Sequence, residues 1–338
     1  MSKLLGNSLP PYPIKEDKIM SFWQEYDSIH GDLEDVKRMI IENTRNKYLG
    51  EVIEPMVYSS GKMLRPAFVL LSGSFGNENG EKLKRLAMVI EILHMATLIH
   101  DDIIDDADMR RGEPSIQSMK GKNAAVYVGD YYLCQCFLIL SQEYEVEDLR
   151  EIAKVMNTIC LAEVLQNYNK RNEDMTVRNY LKIISGKTAD LFALSFLMGA
   201  KSTGCKKDLI YKLGKIGHSI GMAFQIIDDI LDYSSDTLVL GKENNKDIKQ
   251  GYFTLPLIYA LKKDKSNRLK NTLDKYQLEY EDYASIVQAV KDLGGIEYSR
   301  QLAKKYGDKA FKLIKELPDC ESKRILFEVT EKLFRREY

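Results

Sequence analysis

The sequence predicts an all-α fold, a single-domain bundle of helices. Apolar residues recur at three- and four-residue spacing along most of the chain, the period of a helix packed on one face. No proline falls between Ser115 and Leu255. No stretch alternates apolar and polar residues as a half-buried strand does. No linker-like composition divides the chain, so one helical domain is expected over residues 19–338, behind a loose arm over residues 1–18 that holds Pro10, Pro11 and Pro13. The 338 residues are 44% hydrophobic and 29% charged, with a formal net charge of −1. That balance is ordinary for a globular protein and lacks the basic excess that marks nucleic-acid binding. No stretch reads as long and pure enough to span a membrane, and the N-terminus lacks the apolar core of a signal peptide. Cys134, Cys136, Cys160, Cys205 and Cys320 show neither zinc-like nor paired spacing. They read as free thiols of a reducing compartment, which places the protein in the cytoplasm.

In order, helical patterning runs from Asp17 to Asn46 with a break expected near His30–Gly31 and a cap at Asp32. A short piece closes at Pro55. The stretch SSGKMLRPAFVLLSGSFG follows, with Lys62 and Arg65 beside Pro66. Proline suits a first helical turn, and cations beside a helix N-terminus make an anion site. Lys84–Met109 reads as one helix, stopped by Gly112 and Pro114. Helices follow over Asn123–Glu143, Leu149–Lys170, Tyr180–Met198 and Asp208–Ser234. In the last, Gly214, Gly217 and Gly221 imply close packing against a neighbour. The polar stretch from Thr237 to Thr254 reads as a loop. Past Pro256 a helix runs to Lys262, a polar segment spans Lys265–Tyr280, and amphipathic helices cover Ala284–Leu293, Ile296–Leu317 and Ser322–Arg336.

Two acidic stretches carry the chemistry. The first, HDDIIDDADMRRG, sets four aspartates in six positions, Asp101, Asp102, Asp105 and Asp106, ahead of Arg110 and Arg111. On a helix, residues four apart share a face, so Asp101 pairs with Asp105 and Asp102 with Asp106, with Leu98, His94 and Glu91 further back on the Asp101 stripe. Like charges so placed repel unless a cation lies between them. Carboxylates alone, few in number, suit Mg²⁺ completed by water and phosphate. The second stretch, FQIIDDILD, repeats the pattern with Asp228, Asp229 and Asp232. Two such helices facing one another would cage several Mg²⁺ ions around a polyphosphate.

The ordered set GKMLRP, HDDIIDDADMRRG, GKT and GMAFQIIDDILDY, followed by LGK and TLPLIYAL, resembles the trans-type polyprenyl diphosphate synthases over residues 58–262. The resemblance implies helices around a deep central cavity, a homodimer, and a prenyltransferase that elongates an allylic prenyl diphosphate with isopentenyl diphosphate. It implies about three Mg²⁺ held by Asp101, Asp102, Asp105, Asp228, Asp229 and Asp232. It assigns Arg110, Lys187, Gln225 and Lys242 to the allylic diphosphate, Lys62, Arg65, His94 and Arg111 to isopentenyl diphosphate, and Thr188 to the reacting centre. Asp101, Asp102, Asp105, Asp228, Lys187 and Thr188 form its catalytic set. One position departs from the pattern: Tyr252 stands where the family usually carries lysine, and Lys249 is the nearby substitute.

Product length is expected from the helix beneath the first aspartates. Ala96, about 7.5 Å below Asp101 by helical rise, is the position the resemblance nominates. Thr97 is the one the wheel nominates. Both are small, which implies a medium or long chain; geranylgeranyl or farnesyl diphosphate is the shorter alternative. A floor could come from Tyr132 or Phe137. A catalytic subunit that needs a small partner chain is a second form of the same function. A metal phosphohydrolase of the HD type, built on His100-Asp101 and His94, is the rival from another class. A terpene cyclase is disfavoured by the duplicated aspartate motif with GKMLRP upstream.

Overall fold

The computed structural model describes residues 20–46, 49–58, 61–77, 80–233, 246–275 and 278–335. The expected arm over residues 1–18 and Lys242 lie outside them. The helices are α1 (Met20–Trp23), α2 (Asp27–Thr44), α3 (Gly50–Tyr58), α4 (Leu64–Gly73), α5 (Gly80–Ile104), α6 (Ile116–Lys120), α7 (Lys122–Glu143) and α8 (Val146–Tyr168). They continue with α9 (Val177–Ile184), α10 (Asp190–Ser202), α11 (Lys207–Leu231), α12 (Lys246–Gln250), α13 (Leu255–Lys263), α14 (Arg268–Leu273), α15 (Tyr280–Asp292), α16 (Gly295–Lys315) and α17 (Glu321–Phe334). A wide π-turn, Ser185–Ala189, joins α9 to α10.

The acidic helices α5 and α11 lie inside the bundle. α5 packs on α4 and α7, and α11 lies between α10 and α16. α11 links two cores. Leu213, Ile216 and Ile220 join the larger one with Phe68, Phe192 and Phe196, while Met222, Ile226 and Ile230 join the smaller one with Tyr180, Leu255 and Ile286. The expected close packing at glycine holds at two of three positions. A Cβ on Gly217 would stand 2.7 Å from the Phe192 carbonyl oxygen, and one on Gly221 2.6 Å from Ala189 Cα, whereas Gly214 meets Leu197 at an ordinary 3.7 Å.

Several expectations are corrected. The chain breaks at Gln24–Tyr26, and α2 runs unbroken through Gly31 and Asp32. The reason is its continuous buried stripe, Ile29, Leu33, Val36 and Ile40, whose burial outweighs a glycine cost of about 1 kcal/mol. A minimal antiparallel pair, β1 (Met109–Arg110) with β2 (Glu113–Pro114), appears where no strand was expected. Its turn needs left-handed backbone at Arg111 (φ 56°) and Gly112 (φ 86°). Helix α12 forms within the stretch read as a loop, and α14 within the segment read as polar. Phe137 is 48% exposed, so it faces outward and cannot floor an internal cavity of this chain, whereas Tyr132 is fully buried.

Two helical stretches, Lys122–Glu143 and Val177–Ser202, reach the length and mean hydropathy of a membrane span, contrary to the sequence reading. The second is 72% buried within the bundle and the first 39%. Their apolarity serves packing on one side, and α7 leaves its other side bare. All five cysteines are free, with Cys134, Cys160 and Cys320 exposed and Cys136 buried.

Candidate active site

The first aspartate cluster sits where α5 ends. The Asp105 N–H still donates to the Asp101 carbonyl (2.8 Å), so Asp105 completes the last turn, one turn beyond Asp101. Asp106 then takes φ 51°, a left-handed conformation that aspartate tolerates better than most residues. Its side chain is 76% exposed and meets Lys122 at 2.8 Å. The expected Asp102/Asp106 face is therefore broken, because the chain leaves the helix before Asp106. Ser115 Oγ and Gln117 Nε2 clamp the following turn by donating to the Ala107 carbonyl (2.6 and 2.9 Å). The hairpin beyond folds Arg110 back onto the buried Asp102, Nε to Oδ1 at 2.8 Å. Burial raises the Asp101 pKa and the Asp105 charge adds to it, while Lys187 opposes.

Lys187 comes from the π-turn. Such widened turns cluster at functional sites because they change which residues face inward. Gly186 lets it nest on α8, since a Cβ there would stand 2.8 Å from Ala162 Cβ. Lys187 Nζ lies 2.9 Å from Glu163 Oε1 and 3.0 Å from Gln166 Oε1. Burial disfavours its charge, but Asp101, Glu163 and Asp105 outweigh burial and raise its pKa. Next to it, Thr188 donates to Gln225 Oε1 (2.7 Å). Gln225 Nε2 donates to Asp229 Oδ1 (2.8 Å), and Tyr180 donates to Asp229 Oδ2 (2.5 Å). Burial pushes Asp229 up to about 7, reinforced by Asp228 and Asp232 against those two hydrogen bonds. Asp232 lies just past the end of α11, at its C-cap.

Asp247, on α12, is a further buried carboxyl of this cluster. Burial, then Asp232 and Asp229, hold its pKa well above the usual range, while Lys187 opposes. Asp247 falls in the Thr237–Thr254 stretch that the sequence presents only as a loop, and Tyr180 does not stand out there either. A lone tyrosine in an apolar helix carries no chemical signature, but an aspartate shortly after an acidic motif was a usable signal.

A basic pole lies further down α5. Arg65 Nη1 and His94 Nε2 are 2.9 Å apart, and the Arg65 guanidinium rests on the Phe192 ring, 4.8 Å from its centroid. Burial brings Arg65 down to about 10, against the opposing charge of Glu91. Burial, then Arg65 and Arg111, keep His94 well below its ordinary pKa, so it stays neutral and accepts from Arg65. Arg111 lies against Gly61, where a Cβ would stand 2.6 Å from its Cζ. Lys62 Nζ lies 4.7 Å over the Phe22 ring, and the Lys62 carbonyl accepts from Trp23 Nε1 (2.6 Å). Ala96 is wholly buried in the larger core. Thr97 is half-buried and donates to the His94 carbonyl (2.7 Å).

The donor set fits Mg²⁺ in kind, since it consists of hard carboxylate oxygens. Among the described residues no three or more His, Cys, Asp or Glu side chains converge enough to hold a metal by themselves. The phosphohydrolase rival loses its ligands: His100 Nε2 lies 3.4 Å from Asp130 of α7, and His94 is taken by Arg65. His218 is half-buried and hydrogen-bonds Ser185 (3.0 Å), next to Asp190.

Fold and site define an all-α enzyme with two internal acidic helix ends and cations between and beneath them. The profile of the polyprenyl synthetase family matches residues 46–293. The heptaprenyl diphosphate synthase component 2 of Bacillus subtilis (strain 168) is 35% identical over 346 residues, covering 99% of each chain. The crystal structure of geranylgeranyl pyrophosphate synthase from Lactobacillus brevis superposes with a TM-score of 0.89 at 33% identity, covering 94% of this chain and 100% of that one. A polyprenyl synthase from Caulobacter crescentus, complexed with calcium and isoprenyl diphosphate, gives 0.84 at 27% identity, covering 95% and 99%. The chain belongs to the polyprenyl synthetase family, and it is a prenyltransferase.

Proposed function

We propose that the chain condenses isopentenyl diphosphate with an allylic prenyl diphosphate and releases a medium- or long-chain trans-polyprenyl diphosphate. The observation that carries this reading is Lys187. One half-buried ammonium pairs with Glu163 while its charge acts on Asp101 and Asp105 of the first cluster and on Asp247 of the second. Both acidic ends thus address the same small volume.

The allylic diphosphate is held by Lys187, Gln225, Arg110 and Lys242. Arg110 is drawn from its partner Asp102, which leaves that carboxylate open to metal. Breaking the allylic C–O bond concentrates negative charge on the departing pyrophosphate, and fixed cations stabilise charge as it develops. Asp101, Asp102, Asp105, Asp228, Asp229 and Asp232 would hold about three Mg²⁺, which would supply Lewis-acid neutralisation of that charge. Lys62, Arg65, neutral His94 and Arg111 orient isopentenyl diphosphate beneath. Its double bond quenches the allylic cation, and the departing pyrophosphate takes the proton. Thr188, fixed by Gln225, lines the reacting centre, and no protein nucleophile is required.

Small side chains at Ala96 and Thr97 support the longer product, as does the similarity to a heptaprenyl diphosphate synthase component. The protein acts as a homodimer through α7 and α8, which bare Tyr127 (73% exposed), Val164 (65%) and Tyr168 (84%). A bare apolar surface of this kind marks an interface. The relative's designation as a component supports a partner subunit as the second reading. The free thiols fit the cytoplasm. The test is to incubate the purified chain with isopentenyl diphosphate, each allylic primer and Mg²⁺, to size the products, and to weigh the assembly by light scattering. Pyrophosphate release that does not depend on isopentenyl diphosphate would overturn the reading.

A further inference from the structure

The segment following Asp247 is fastened to the end of α8. The Arg171 N–H donates to the Gly251 carbonyl (2.7 Å), and the Tyr252 N–H to the Asp247 carbonyl (2.7 Å). Both Arg171 (φ 56°) and Gly251 (φ 81°) take left-handed backbone to allow it, and a Cβ on Gly251 would stand 2.7 Å from Arg171 Cγ. Gln250 Nε2 ties the same segment to the Asp105 carbonyl (3.3 Å). Tyr252 is thereby held at the rim of the site. Its phenol responds to burial first, and then to the charges of Asp105, Lys187, Glu163 and Asp101.

On this ring lies Lys170, its Nζ 5.2 Å from the centroid. Among the described residues Lys170 pairs with no carboxylate. Two other cations near the acidic ends are already engaged, Lys187 with Glu163 and Arg110 with Asp102. Lys249, the substitute expected from the sequence, lies instead over Tyr283 of α15, 5.7 Å from its centroid. A cation resting on a half-exposed aromatic face is held only weakly. That is enough to bias its position and too little to withhold it from a diphosphate.

We propose that Lys170 binds the diphosphate of the allylic substrate at the mouth of the site, and that Tyr252 is the positioning residue that presents it. The cation expected at position 252 is in effect supplied from the end of α8. The inference rests on the prenyltransferase reading above and refines its diphosphate contacts.

The test uses the full chain, with steady-state kinetics for both substrates and calorimetric titration of inorganic pyrophosphate in the presence of Mg²⁺. Lys170→Gln raises the KM for the allylic diphosphate roughly three- to five-fold, the scale of one partly exposed charge pair, and leaves the KM for isopentenyl diphosphate unchanged. Tyr252→Leu produces the same split, and Tyr252→Phe, which keeps the ring, rescues it. Relocating the cation, with Lys170→Gln and Tyr252→Lys together, restores the allylic KM. Lys249→Gln has no effect. A wild-type allylic KM in Lys170→Gln, an equal rise for both substrates, or no recovery in the relocated variant overturns the proposal. A wild-type protein that elongates no primer overturns the parent reading instead. Pyrophosphate titration then still decides the role of Lys170, since equal affinity in wild type and Lys170→Gln refutes it.

Discussion

Replacing Lys187 with glutamine removes an ammonium whose charge acts on both acidic ends. Two consequences follow, and they differ in kind. The first is kinetic. On the proposed mechanism Lys187 faces charge that appears only as the allylic C–O bond breaks, so its loss is expected to fall on kcat. Removal of one such preorganised donor costs about 100- to 1,000-fold, with the KM for isopentenyl diphosphate little changed. The second is thermodynamic. Glu163 lies 2.9 Å from Lys187 with 25% of its side chain exposed, and burial already raises its pKa against the charge of Lys187. Leaving it unpaired costs about 1–3 kcal/mol for a buried group, with the lower half of that range expected because both partners are partly exposed. For a carboxyl whose folded pKa lies above its unfolded value, stability falls as pH rises. The deficit of Lys187→Gln therefore vanishes below the ordinary glutamate range and is complete above the raised pKa. Glu163→Gln in the same chain removes the buried charge and restores thermal stability, while kcat stays low. The assay is extraction of labelled product alongside thermal unfolding at acidic and mildly alkaline pH. A kcat within ten-fold of wild type, or a double variant that regains turnover, would refute a role for Lys187 on the leaving group.

Other perturbations separate the remaining assignments. Asp101→Ala and Asp228→Ala abolish turnover and the joint stabilisation by Mg²⁺ and a diphosphate analogue, while stability without metal is unchanged or slightly higher because like-charge repulsion is relieved; near-normal turnover in Asp228→Ala contradicts the two-helix cage. Ala96→Phe shifts product sizing toward shorter chains at a stability cost of about 1–3 kcal/mol, since the position is wholly buried; an unchanged product distribution means that Ala96 does not line the tunnel. Arg65→Ala raises the KM for isopentenyl diphosphate without the fall in kcat expected of Lys187→Gln, and an identical kinetic pattern for the two contradicts separate phosphate sites.

Much was legible in the sequence because it rests on local repetition. The helical period gave the class of fold, and two acidic motifs within apolar helices marked the chemistry before any partner was known. Charges that repel unless a cation intervenes made a bound cation the expectation once the second motif repeated the first. GKT and GKMLRP were identifiable by order, since each needs only its own few residues.

What the sequence could not decide is where a helix stops and what its last residues then meet. Asp102 and Asp106 look equivalent on a wheel, yet the left-handed backbone at Asp106 sends it to solvent and Lys122, while Asp102 is buried under Arg110. The π-turn is likewise invisible in SGKTA, although it sets Lys187 on Glu163 and Thr188 on Gln225. Asp247, Tyr180 and Lys170 join the site or its rim from elements distant in the chain. A periodicity records which face of one element is buried, but a contact between elements depends on their packing distance and rotation, which many weak apolar contacts fix together. The sequence therefore determined the helices and the chemistry they carry, and only tertiary packing decided which acids share a cation.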